Sequence, residues 1–148
     1  MKEQINKALN ASLDLLLSDD VDILWLDINE RTISHRLAFY LETHFPGWNV
    51  DCEYNRDHED VKRLNIKRRN VMSDDTQATT VFPDIIVHRR GTDQNLLVIE
   101  MKKTTSQESD DYDYGKLLAF KKQLGYKFAV FLKIGTDSNA GIYRIEWV

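Results

Sequence analysis

The sequence contains one cysteine, Cys52, so it cannot form an internal disulfide and offers no cysteine cluster for zinc. No apolar run comes near the ~20 residues that a membrane-spanning helix needs. The amino terminus, Met1 to Lys7, has neither an apolar signal core nor a small-residue cleavage site. A cytoplasmic location and no membrane partner are therefore expected. Positive charge is short as well: the net charge is −4 and the pI about 5.5. That balance argues against a general nucleic-acid coating protein, which carries a strong basic excess. The four histidines, His35, His44, His58 and His88, lack metal-ligand spacing. A Gly-rich phosphate loop, a Walker motif and a Ser-His-Asp order are all missing, and no internal repeat or low-complexity tract interrupts the chain.

What remains is ordinary globular material. At 148 residues, 42% hydrophobic and 30% charged, the chain fits one domain (residues 1–148) around one core. Residues 2–17 carry Ile5, Leu9, Leu13, Leu16 and Leu17 on one helical stripe, and Asp19, Asp20 and Asp22 end it. A second helix is expected from about Ile28 to His44, stopped by Pro46-Gly47. Residues 48–56 alternate Val50, Cys52 and Tyr54, which predicts a strand with Asp51, Glu53 and Asn55 on its other face. Residues 57–80 are polar, with weak periodicity, and predict a long connection. Val81–His88 and Leu96–Lys103 predict two strands joined by the turn residues 91–95. Leu96 to Ile99 has no polar face, as in a central strand covered on both sides. A helix over Tyr114–Leu124 with Gly125 as its cap, a strand at Phe128–Leu132 and a last strand at Ile142–Val148 complete an α-α-β-β-β-α-β-β order, an α/β mixed sheet flanked by helices.

One constellation carries chemistry. Pro83-Asp84 opens one apolar strand, and Glu100-Met-Lys102 closes the next. Alternation puts Glu100, Lys102, Val98 and Leu96 on one face of that strand. A hairpin over residues 81–103 brings Asp84 beside Glu100 and Lys102. Two carboxylates at one sheet end suit Mg²⁺ or Mn²⁺, hard cations that take oxygen ligands. Such an ion polarises a phosphodiester and activates a bound water, and Lys102 would orient that water or meet the developing charge. Each half alone has a plainer reading: Pro-Asp is a common turn pair, and Glu-x-Lys at a strand end is often a solvated ion pair.

Phe82-Pro-Asp-Ile-Ile-Val-His88 followed by Leu96-Leu-Val-Ile-Glu-Met-Lys-Lys103 resembles the PD-(D/E)xK nuclease superfamily. The core order of that superfamily, αβββαβ, matches residues 28–132, with an extra N-terminal helix and a C-terminal strand. More closely, the segments Asn29–Arg31, His35–Leu41, Val50–Arg56, Pro83–Gly91 and Asn95–Glu100 resemble a group of uncharacterised bacterial proteins. The resemblance implies a restriction-endonuclease-like fold, Asp84, Glu100 and Lys102 as catalytic residues, and a metal site. It also implies a further metal ligand from the first core helix, the place of Glu30. A capping box from Asp27 to Glu30 explains that residue equally well.

Glu53 and Arg56 are candidates for the border of the site. Lys62, Arg63, Lys67, Arg68 and Arg69 concentrate positive charge in an acidic chain and are candidate phosphate contacts, although each alone reads as a solvated side chain. His88, Tyr112 and Tyr114 read more plainly as packed residues. The expected function is a Mg²⁺-dependent nuclease acting on nucleic acid, with DNA ahead of RNA. The alternative is a catalytically silent module of the same fold that binds DNA or a protein partner. A homodimer is left open.

Overall fold

The computed structural model describes residues 1–54, 56–57, 60–61, 63–67, 76–80 and 82–148, and within 56–80 it describes the backbone. Three helices come first: α1 (Lys2–Asp19), α2 (Val21–Trp25) and α3 (Glu30–Glu42). The acidic run ends α1 as expected, but the chain turns at once into α2. Five residues are too few to display a helical period, so this element is invisible to pattern reading. Helix α3 starts where the Asn29 side chain accepts the Thr32 N–H at 2.8 Å. That corrects the capping box: Asn29 is the cap, Glu30 is the first helical residue, and its carboxylate points elsewhere.

Strand β1 (Asn49–Cys52) is shorter than predicted because Glu53 takes a φ of 51° and donates its N–H to Pro83 O at 2.9 Å. Asp51 and Glu53 therefore do not share a strand face. Residues 57–80 are not a featureless connection. Backbone strands β2 (Arg56–Asp57) and β3 (Asp60–Val61) pair, as do β4 (Arg63–Lys67) and β5 (Thr76–Thr80). The period-two signal of Leu64 and Ile66 is hidden there among charged neighbours.

Strands β6 (Ile85–His88), β7 (Asn95–Lys103), β8 (Phe128–Ile134) and β9 (Tyr143–Trp147) complete a five-stranded sheet in the order β1-β6-β7-β8-β9. The β7–β8 pair is parallel and the other three pairs are antiparallel. Helix α4 (Asp111–Leu124) makes the β7–β8 crossover. It starts three residues earlier than the apolar pattern suggests, and Gly125 ends it at φ 69°, a left-handed position that suits glycine.

The sheet is covered on both faces, which is why β7 could be an apolar run. On one face Leu9, Leu13, Ile33 and Leu37 of α1 and α3 pack on Val87, Leu97, Ile99 and Val130. On the other, Leu117 and Phe120 of α4 pack on Ile86, Val98 and Phe131. Leu96 leaves the expected alternation and joins the α1 side, next to the register shift between Val87 and His88. Burial of a side chain such as Phe120 contributes roughly 1.5–3 kcal/mol, so these two clusters fix how α3 and α4 meet the sheet. Among the described residues no helix is long and apolar enough to cross a membrane.

Candidate active site

The β6–β7 register pairs Ile85 with Ile99, so the next residues outward are Asp84 and Glu100. The structure brings them together. Asp84 N–H points to Glu100 Oε1 at 3.4 Å, and Asp84 Oδ2 accepts the Met101 N–H at 2.7 Å. Glu100 is buried and Asp84 half-buried.

Burial pushes the Asp84 carboxyl above its ordinary range against the Met101 N–H and the nearby Lys116. Glu100 is pushed well above its ordinary range by burial and then by the charge of Asp84, with Lys116 opposing. The Lys116 ammonium stands 3.1 Å from Glu100 Oε1 and donates to Phe82 O at 2.8 Å. Burial alone would lower its pKa, but Glu100 and Asp84 outweigh that and raise it.

Lys102 leaves β7 on the same face and is also buried, but its ammonium goes to α4. It lies 2.5 Å from Asp113 Oδ2 and 3.8 Å from Asp110 Oδ1, and it donates to Ser109 O at 2.7 Å. Its neighbour across the parallel pair, Lys133, holds Asp110 Oδ1 at 2.9 Å. The first turn of α4 favours these aspartates because its free N–H groups make that end positive.

Glu30 reaches the end of β7, where its Oε2 accepts the Lys103 N–H at 3.0 Å. Burial raises its pKa, opposed by that N–H, and the charges of Asp84 and Asp113 raise it further. Between α3, β1 and Asp84 lies a cleft of about 410 Å³ lined by residues that include Glu30, Arg31, Cys52, Glu53 and Asp84. Glu53, expected at the border of the site, lines this cleft and is ion-paired to Arg31 at 3.2 Å. Burial, then the charge of Asp84, pushes the Cys52 thiol up to about 11, so it is no nucleophile here. The side chains of Arg56, Lys62, Arg63, Lys67, Arg68 and Arg69 lie outside the described residues.

His88 is buried against Tyr54, with its Nε2 2.7 Å from Asp51 Oδ2, and Arg90 clamps the same carboxylate. Tyr114 stacks on Phe131 at 4.9 Å. Both therefore pack, as the plainer readings have it.

Sequence reasoning missed Lys116 and Asp113. One signal could have found them: Asp113, Lys116, Leu117 and Phe120 recur at helical spacing, so two charged residues sit on the stripe that α4 turns to the sheet. Among the described residues no group of three or more His, Cys, Asp or Glu side chains is arranged to hold a metal ion. Asp84 and Glu100 make a pair, and one or two carboxylates with waters and substrate oxygens suffice for Mg²⁺. Buried, mutually repelling carboxyl oxygens are the donor chemistry that such a cation relieves, so the residues fit it. Compared with known proteins, the chain matches no family model, no curated protein and no solved structure.

Proposed function

We propose that this chain is a Mg²⁺- or Mn²⁺-dependent nuclease of the PD-(D/E)xK type that hydrolyses phosphodiester bonds, with DNA as its substrate. The observation that carries the reading is the Asp84–Glu100 carboxyl pair, held at the end of the β6–β7 hairpin with Glu30 at the neighbouring end of α3. The order α3-β1-β6-β7-α4-β8 supports it, since it follows the αβββαβ core with β2–β5 inserted after β1.

Asp84 and Glu100 would hold the cation and Glu30 would assist. The cation, when bound, would supply Lewis-acid stabilisation of the phosphate and a more acidic water. The Met101 N–H fixes Asp84, and the Lys103 N–H fixes Glu30, so both carboxylates are oriented before any substrate arrives. Lys102 would orient the attacking water, and for that its ammonium has to leave Asp113.

The second reading, a nuclease-like module that binds without cutting, is favoured by one observation: Glu100 and Lys102 already have ion-pair partners on α4. The experiment is cleavage of a panel of DNA and RNA substrates with Mg²⁺ or Mn²⁺ by the wild type and Asp84→Asn. Cation-dependent cleavage by the wild type alone supports the nuclease. Equal residual cleavage by both, with nucleic-acid binding retained, supports the module.

A further inference from the structure

Two lysines stand near the carboxyl pair, and they are not equivalent. The Lys102 ammonium already has Asp113, Ser109 O and Asp110 around it. The Lys116 ammonium has Glu100 Oε1 and Phe82 O, and its side chain is only 12% exposed. Glu100 Oε1 thus faces Lys116 and the Asp84 N–H together, on the side where Asp84 stands. A cation shared by Asp84 and Glu100 would meet that ammonium at close range, and like charges a few ångströms apart in a half-buried place repel strongly.

We propose that Lys116 is the positioning residue of this site: in the metal-free protein it is the cation that holds Glu100 beside Asp84, and a divalent cation has to take Glu100 from it. The inference rests on the metal-site reading given above. The hydrogen bond to the carbonyl of Phe82, an exposed residue, is a second anchor, so the displaced ammonium moves to the solvent-facing edge of the site. Lys102 does not share this role, because Asp113 and Asp110 balance its charge.

The test is a calorimetric titration of Mn²⁺, in mildly alkaline buffer, into the wild type, Glu100→Gln, Lys116→Gln and Lys116→Arg. Lys116→Gln keeps a donor for Phe82 O but lacks the charge, and it should bind Mn²⁺ tighter by on the order of tenfold, as expected for losing a nearby like charge. Lys116→Arg keeps the charge and should stay near the wild type. A lysine that merely props the fold would give unchanged or weaker binding in both. The inference is overturned if Lys116→Gln binds no tighter than the wild type, or if Lys116→Arg tightens as much.

Should the variants not fold, acetylation of the Lys116 amine in the wild type, read by mass spectrometry, takes their place. Mn²⁺ should increase its labelling, and unchanged labelling overturns the inference. If wild type and Glu100→Gln take up Mn²⁺ alike, the cation site itself is wrong and both readings fall. If Glu100→Gln alone loses the ion while Lys116→Gln behaves as wild type, only the role of Lys116 falls.

Discussion

Replacing Lys102 by alanine is the obvious test of a catalytic lysine, and the structure gives that substitution a second consequence. Lys102 is 3% and Asp113 8% exposed, and their charged atoms are 2.5 Å apart. Lys102→Ala leaves the Asp113 carboxylate buried at the start of α4 without its cation. Removing one partner of a buried pair costs about 3–5 kcal/mol, because the other charge has lost its solvent and its counterion together. For a chain of this size each kcal/mol lowers Tm by roughly 2–4 °C, so a fall of about 6–20 °C is expected. Lys102→Met with Asp113→Leu removes both charges and fills the space, and such replacements are often neutral or stabilising. Urea unfolding of the two single variants and the double variant closes the cycle. The coupling should be several kcal/mol, with the double variant more stable than either single one. Single variants within about 1 kcal/mol of the wild type, or additive effects, would refute the idea that this pair moors α4 to β7. Cleavage lost in Lys102→Ala is therefore interpretable only where that protein is shown to be folded.

Two further outcomes follow from charge. Asp51 has its pKa lowered: burial would raise it, but His88 and Arg90 outweigh that, so its contribution is present above the unfolded value of 3.8 and is lost as pH falls through the folded one. Asp51→Asn should cost roughly 2–3 kcal/mol at neutral pH, and urea midpoints of variant and wild type should converge in the acid range. Separately, Arg68→Ala with Arg69→Ala should weaken nucleic-acid binding across all sequences and flatten its salt dependence, read by a salt-titrated binding assay. Unchanged slopes would remove these two residues from the phosphate contacts.

Much of the architecture was legible because burial leaves a local trace. The uninterrupted Leu96 to Ile99 run had to be a central strand, and the stripes of Leu9 and Leu13 or Ile33 and Leu37 had to face a core. The Asp84–Glu100 meeting was legible too, since a hairpin fixes which residues stand side by side. Illegible features depend on contacts between distant segments. Nothing near Glu30 in sequence announces the Lys103 N–H as its partner. The strands within residues 56–80 are masked by charge, and the crossed ion pairs of α4 depend on how a helix lies on a sheet.

Those ion pairs have a simple geometric origin. Glu100 and Lys102 are two residues apart on one strand face, about 6.6 Å along β7. Asp113 and Lys116 are three apart on one helix face, about 4.5 Å along α4. Helix α4 runs back over β7 after the crossover, so the two charged pairs meet in opposite order: Lys102 finds Asp113, and Glu100 finds Lys116. A Glu-x-Lys strand end can thus be fully explained as the strand half of a mooring between sheet and helix. Asp84 is what this mooring does not need. It adds a carboxyl to Glu100, which already has its lysine, and Glu30 adds another charge close enough to feel Asp84. With Lys102 balanced by Asp113, the Asp84 and Glu100 carboxyl groups are left to share the Lys116 ammonium, and that imbalance, more than the Glu-x-Lys motif, is the physical argument for a cation at this place.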